Sequence, residues 1–444
     1  MKHQISRRQF VSTGAAVGVG FWAAGGVAPK VSKAANETIN FACVGVGGKG
    51  SSDSDDCARH GNIVAICDID EDTLNKAGQK PAFTKAEKFH DFRKMFDKLG
   101  KSIDAVTVST PDHCHAVAAA MAMNLGKHCF CQKPLTRTIY EARRLGEIAK
   151  EKKVATQMGN QGTANTGVRR AAAMIKAGVI GQVKEVHVWT NRPIWPQGEE
   201  RPKEEVPVPT GIHWDEFIGP AEFRPYSPLY HPFKWRGWWA FGTGALGDMA
   251  CHTFNMPFMA LDLRNPTSVQ ATTSGHNGET YPKWSRITFD FAANDARPGL
   301  KFYWYDGGQL PSADFFRGAT LKRAASGCLI VGDEGIIHSP DDYGARFEII
   351  GDAKEIEVEY ERSPGHFEEW VAAIKGGPAA KSNFSEYAGP LTETILLGNL
   401  AVWVANKPEE AGKLVEWDAV KLKATNAPET DNIVKTEYRA GYSL

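Results

Sequence analysis

Two clusters in this 444-residue chain have the residue types and spacing that chemistry needs. The first is GTGALGDMACHTFN, in which Asp248 and His252 stand four positions apart. On a helix both would project from one face, one turn apart. A carboxylate so placed can orient an imidazole or stabilise imidazolium, the arrangement of an acid–base pair. Taken alone, the pair reads at least as readily as a capping acid beside a satisfied histidine, and as a metal pair it lacks an evident third ligand. The second cluster is GVGGKG, with Gly45, Gly47 and Gly50 in the spacing G-x-G-x-x-G and Gly48 between them. Such a turn carries backbone amides to a pyrophosphate.

The elements around the glycine turn fit that chemistry. Ile39 to Val44 is an apolar run that reads as a strand, residues 51–60 as a helix, and Asn62 to Cys67 as a second strand. Asp68 ends it, 23 residues beyond Gly45, where an acid accepts hydrogen bonds from the adenosine ribose. Gly45 permits the tight turn, Gly47 admits the pyrophosphate, and Gly50 lets helix and strand pack closely. Asp68 would repel a 2′-phosphate, which favours NAD over NADP. The alternation continues with a helix over Lys88–Leu99, a strand over Ile103–Val108, a helix over Ala116–Leu125, a strand at His128–Cys131, a helix over Arg143–Lys152 and a strand over Val154–Met158. The strands end in Ser109-Thr110-Pro111, Gln132-Lys133-Pro134 and Gly159-Asn160-Gln161. Ligands of doubly wound parallel sheets bind beyond such ends, which makes Ser109, Thr110, Pro111, Gln132, Lys133 and Asn160 candidate cofactor contacts. His113 and His115, in the first turn of the following helix, are candidates of a second rank.

Beyond residue 158 the pattern changes. Strand candidates at 182–190, 284–293, 299–305, 327–331, 346–350 and 355–360 are joined by turns, which predicts a mainly antiparallel open sheet, with helices at 366–376 and 390–406. The fold class expected is therefore α/β: a Rossmann domain over 35–158, then an α+β substrate and oligomerisation domain over 159–444. Residues 192–211, rich in proline, glycine and glutamate, read as a surface excursion. An aromatic stretch from Trp214 to Trp239 carries Lys234 and Arg236. Aromatic faces stack on sugars and cationic donors bind hydroxyls, so Tyr230, Lys234 and Arg236 are the candidate substrate contacts. Packing in a core or a subunit contact is the other reading of most of these rings.

Composition narrows the class. Lys plus Arg and Asp plus Glu are both 52, which gives no footprint for nucleic acid or a polybasic membrane anchor. Eight cysteines without a C-x-x-C read as buried thiols rather than a zinc site. The first 34 residues read as a leader: Arg7 and Arg8 within S-R-R-x-F, a small-residue apolar stretch, and Ser32-Lys33-Ala34 as a cleavage site. The paired arginines resemble a twin-arginine signal, whose export machinery carries folded proteins to the periplasm. No nucleotide pool exists there, so the cofactor would stay tightly bound.

The chain resembles the Gfo/Idh/MocA oxidoreductases, the group that includes glucose–fructose oxidoreductase and inositol dehydrogenase. The carriers are GVGGKG (45–50), TPDHCHA (110–116), CQKPLT (131–136) and GTGALGDMACH (242–252). The family's usual tripeptide is Glu-Lys-Pro, and here it is Gln132-Lys133-Pro134. The resemblance implies that Lys133 is catalytic and faces the nicotinamide with Asp248 and His252. It also implies a homo-oligomer, dimer or tetramer, built on the open sheet. The expected reaction is oxidation of a sugar or cyclitol hydroxyl: His252 takes the proton, Lys133 hydrogen-bonds the oxygen and Asp248 orients His252. The same resemblance extends to glycosidases that oxidise a ring carbon transiently and eliminate the aglycone; Tyr230 or His213 would then supply an extra acid or base. A non-catalytic sensor on the same fold is the third alternative.

Overall fold

The computed structural model describes residues 38–444, and the stretch expected to be a leader, residues 1–34, lies outside the described residues. β1 (Ile39–Val44), β2 (Gly61–Cys67), β3 (Glu87–Phe89), β4 (Ala105–Val108), β5 (His128–Cys131) and β6 (Thr156–Met158) form one parallel sheet in the order β3-β2-β1-β4-β5-β6. The central strands β1 and β4 are almost wholly apolar because helices cover both faces. Strand order reverses between β1 and β4, and that switch point opens a crevice at the carboxyl ends.

Sequence and structure differ at Lys88–Leu99. Residues 87–89 pair with β2, and the helix runs only over Phe92–Leu99. Asp91 sets the break: its carboxylate accepts the Arg93 amide at 2.8 Å and caps the helix.

The second sheet has nine strands: β7 (Val183–Trp189), β8 (Ser268–Thr273), β9 (Ser285–Phe291), β10 (Leu300–Tyr305), β11 (Gly327–Gly332), β12 (Ile336–Ser339), β13 (Glu348–Ile350), β14 (Val415–Asp418) and β15 (Lys423–Ala424). Its order is β13-β12-β11-β7-β10-β9-β8-β14-β15. Only the β7–β10 pairing is parallel. Residues 355–360, expected as a strand, form none; Ile356 is exposed, so the alternating apolar side chains find no face to cover. Among the described residues no helix is long and apolar enough to cross a membrane. All eight cysteines are buried free thiols.

Two helices from late in the chain join the halves. Helix Gly389–Val404 packs on β8, β9 and helix Ile139–Lys152, where Arg143 grips Glu393 through two hydrogen bonds of 2.7 Å. Helix His366–Ile374 returns to the first sheet. Its Trp370 is fully buried, with its ring 5.8 Å from Phe41 and 5.6 Å from Phe130, and its indole N–H donates to the Ala155 carbonyl at 3.1 Å. The Rossmann layer therefore borrows a helix from beyond residue 158. Trp370→Ala should cost about 3–5 kcal/mol. Urea unfolding followed by far-ultraviolet dichroism measures this, and an unchanged midpoint would show that the helix is dispensable to the first sheet.

Candidate active site

The glycine turn is shaped by contacts that no larger residue allows. Gly45 has φ of +78°, and a Cβ there would lie 2.5 Å from the Ser109 carbonyl oxygen. At Gly50 a Cβ would lie 2.0 Å from the Gly45 oxygen, so this glycine seats the helix on the strand and does not line the cleft. Helix Gly48–His60 starts without a side-chain cap and without an acid in its first turn. Its opening amides are therefore available to an anion, unlike those capped by Asp70, Asp91 and Thr138 in neighbouring helices. Asp68 closes the other side of the turn. Its Oδ2 accepts the Val46 amide at 2.9 Å and its Oδ1 the Asp70 amide at 3.1 Å, while burial pushes its carboxyl up against those bonds. Uncapped amides, a glycine cradle and an acid at the ribose position are a donor set that fits a dinucleotide.

From this turn a cleft of about 600 Å³ runs between the two sheets, lined by Gly45, Gly47, Gly48, Asp68, Ser109, Thr110 and Pro111 at one end. Lys133, Asp248 and His252 line its other end, with Gln132 between. Asp248 and His252 lie on helix Gly244–Thr253, as their spacing predicts. Lys133, two residues beyond β5, reaches across the domain junction: its Nζ donates to Asp248 Oδ1 at 2.6 Å and to the Asp248 carbonyl at 2.9 Å.

This changes one expected role. Asp248 holds Lys133, not His252: the Nδ1 of His252 has no hydrogen-bond partner among the described residues. Burial opposes the Asp248 charge, but Lys133 and Arg236 prevail and hold the carboxyl well below the usual carboxylate range. Burial, aided by Lys133, holds His252 well below the usual imidazole range, so it is neutral at neutral pH. An ammonium on a carboxylate beside a neutral imidazole can polarise a hydroxyl and accept its proton.

Arg236 sits on a short turn (Lys234–Gly237) and is the only one of the three expected substrate residues that lines the cleft. It donates to Asp112 at 2.9 Å, approaches Asp248 at 3.3 Å, and lies over the Trp235 ring at 4.3 Å. Tyr230 is 2% exposed within an aromatic core with Trp214, Trp238 and Phe241, because its ring is needed there for packing. Lys234 is half-buried on the same turn as Arg236 but stands outside the lining.

Two expected cofactor contacts, His115 and Asn160, and the second-rank candidate His113 are tied into the scaffold instead. The ring nitrogens of His115 face the Pro134 carbonyl at 2.8 Å and the Thr110 carbonyl at 2.7 Å, which ties two strand ends behind the cleft. His113 bridges the Phe241 and Phe217 carbonyls, and burial takes it down to about 4. Asn160 is fully buried, accepting from Ser382 at 2.5 Å, and its neighbour Gln161 lines the cleft.

Other lining residues escaped the sequence reading. Arg192 and Trp195 belong to the excursion at 192–211, which is a wall of the cleft rather than free surface. Arg192 lies 3.9 Å from Asp248. Tyr343 meets the His252 ring edge-on at 4.8 Å, and Tyr442 reaches the cleft beneath the Arg93 guanidinium, 4.5 Å away. Asp53, fully buried in a polar helix, gave no signal; it accepts from Lys49 at 2.5 Å, Ser109 at 2.8 Å and Gln132 at 2.8 Å.

The model of the NAD-binding Rossmann domain of the Gfo/Idh/MocA oxidoreductases matches residues 39–160, and that of the family's C-terminal α/β domain matches residues 164–297. The chain belongs to the Gfo/Idh/MocA oxidoreductase family. Among named members it is 28% identical to levoglucosan dehydrogenase of Pseudarthrobacter phenanthrenivorans over 37% of this chain and 34% of that one. It is 30% identical to inositol 2-dehydrogenase of Salmonella paratyphi B over 34% of this chain and 45% of that one. The matched segments thus span less than half of these relatives. An inositol dehydrogenase homologue from Azotobacter vinelandii, solved with NADH and myo-inositol, shares the fold at a TM-score of 0.57 and 15% identity, covering 87% of this chain and all of that one.

The resemblance would place a glutamate at Gln132, and Asp53 explains what the amide does here: it donates to a buried carboxylate that a glutamate would repel. Gln132→Glu should destabilise the fold by about 1–3 kcal/mol in urea unfolding, and adding Asp53→Asn should restore most of the loss. Unchanged stability in the single variant would contradict this pairing.

Proposed function

We propose that this chain is an exported NAD-dependent oxidoreductase that oxidises a ring hydroxyl of a sugar or cyclitol. The observation that carries the reading is the 2.6 Å contact between Lys133 and Asp248, one helical turn from His252, in the cleft that also holds the glycine turn and Asp68. Bound NAD supplies the hydride acceptor. Gly45, Gly47 and the uncapped helix N-terminus hold its pyrophosphate, and Asp68 its adenosine ribose. Lys133 donates a hydrogen bond to the substrate oxygen and stabilises the charge that develops there. Neutral His252 accepts the hydroxyl proton. Asp248 fixes Lys133 in place, and Lys133 and Arg236 keep that carboxylate charged against its burial. Trp195 and Trp235 line the same cleft, where the Arg236 guanidinium lies over both rings.

The leader supports passage through a twin-arginine route, and a cofactor held through repeated turnovers suits a compartment without free nucleotide. The outer face of the nine-stranded sheet, with Arg286 and Lys301 exposed, is the surface offered to further copies in a dimer or tetramer.

Denaturing the purified protein should release NAD, and sugars or cyclitols should then raise nicotinamide absorbance in the native protein. Release of aglycone from aryl glycosides without net reduction would overturn the dehydrogenase reading in favour of a redox-neutral lyase. Lys133→Ala and His252→Ala should each lower kcat by about 10²–10⁴-fold with an unchanged dichroism spectrum. Because the His252 imidazole titrates well below 6.5, its base form persists on acidification. The kcat profile should therefore stay flat through pH 6.5 and fall only at lower pH; an inflection at 6.5 would remove His252 from the proton transfer.

A further inference from the structure

At the rim of the cleft, beside Asp68, three ligating side chains from both halves of the chain converge. Glu71 opens helix Glu71–Gly78, His90 follows β3, and His213 ends the wall formed by the 192–211 excursion. Their ligating atoms all lie within 4.8 Å of one another. His213 Nε2 is 3.0 Å from Glu71 Oε1, and His90 Nε2 is 4.0 Å from the same oxygen. The two imidazoles stack at 3.7 Å with 15° between their planes, which sets their Nε2 atoms side by side.

The tautomer of His90 decides what can sit there. Its Nδ1 faces the Asp68 carbonyl at 3.2 Å, and a carbonyl oxygen only accepts. Nδ1 therefore carries a proton, which leaves Nε2 as the nitrogen of the neutral ring that can ligate. Two acceptors aimed at one spot are held together by a cation. The backbone around them is fixed: the His213 amide donates to the Ile69 carbonyl at 2.8 Å, and the Glu71 amide to the Gly211 carbonyl at 2.9 Å.

We propose that Glu71, His90 and His213 bind a divalent transition-metal ion of the zinc type. Two neutral imidazoles and a carboxylate are the donor set such ions favour, and water completes the coordination. His213 Nε2 donates its proton to Glu71 Oε1 at 3.0 Å, so an ion would displace that proton to water, with the two rings turning about their soft terminal torsions to bring both lone pairs onto it. The ion would tie the loop that carries Asp68 and Asp70 to the wall that carries Arg192 and Trp195. It would thus clasp the two halves at the adenosine end, away from Lys133 and His252.

The test is titration of the chelator-treated full chain with zinc chloride at pH 7.5, followed by calorimetry. One ion per chain should bind with a dissociation constant on the order of micromolar or tighter. His90→Ala, His213→Ala and Glu71→Gln should each weaken binding about tenfold or more, with unchanged dichroism spectra. Cobalt(II) substitution should give the intense visible bands of a low-coordinate site in the wild type alone, a readout that does not depend on activity. No saturable binding by the wild type would overturn the proposal, leaving a proton as the cation. Binding undiminished in all three variants would overturn it equally, by putting the ion elsewhere.

Discussion

The contact between Lys133 and Asp248 is the constraint on which the rest of this structure depends. The lysine belongs to the end of a parallel strand in one half, and the carboxylate to a helix in the other. Both are largely buried, with side chains 17% and 9% exposed. An ion pair so placed is costly to desolvate and costly to break, so its partners must be held closely. Helix Gly389–Val404 and the Arg143–Glu393 pair provide that hold by locking the halves together. Arg236 extends the arrangement: by bonding Asp112 and approaching Asp248, it links the helix after β4 to the same carboxylate.

The nucleotide end follows a different logic. There the structure withholds side chains: no cap at Gly47, no Cβ at Gly45, no acid in the first helical turn. Dipolar amides then face the cleft, and the Asp68 carboxylate beside them is occupied by two backbone amides. The reactive end instead pairs opposite charges directly, with Lys133 and Arg236 on Asp248. This division lets one cleft hold an anionic dinucleotide and still gather Lys133, Arg192 and Arg236 around Asp248.

The N-terminal half was legible in the sequence because buried parallel strands are short apolar runs, each ending where the chain turns toward the crevice. Gly45, Asp68 and Lys133 could be placed on that basis, and Asp248 and His252 by helical spacing. Partnerships were not legible. Lys133 and Asp248 are 115 positions apart, and an i, i+4 spacing pointed to His252 as the partner of the carboxylate instead. Which residue of a short turn faces inward was also hidden: Lys234 and Arg236 are alike in charge, and the carboxylates of Asp112 and Asp248 and the rings of Trp235 and Trp195 engage the guanidinium alone. Tyr230 looked like a sugar platform because an aromatic in a core and one on a wall have the same sequence signature. Asn160 stood at a strand end and His115 in the first turn of a helix, yet Ser382 and backbone carbonyls claim their polar atoms.

The account's central claim is that Lys133 and His252 act on one oxygen of a substrate hydroxyl in this cleft. A crystal structure of the protein with NAD and a bound sugar or cyclitol tests it most directly. The account predicts Lys133 Nζ and a His252 ring nitrogen both within about 3 Å of the same hydroxyl oxygen, whose carbon faces the nicotinamide. A nicotinamide ring lodged away from these two side chains, or a sugar whose nearest hydroxyl neither of them reaches, would contradict it.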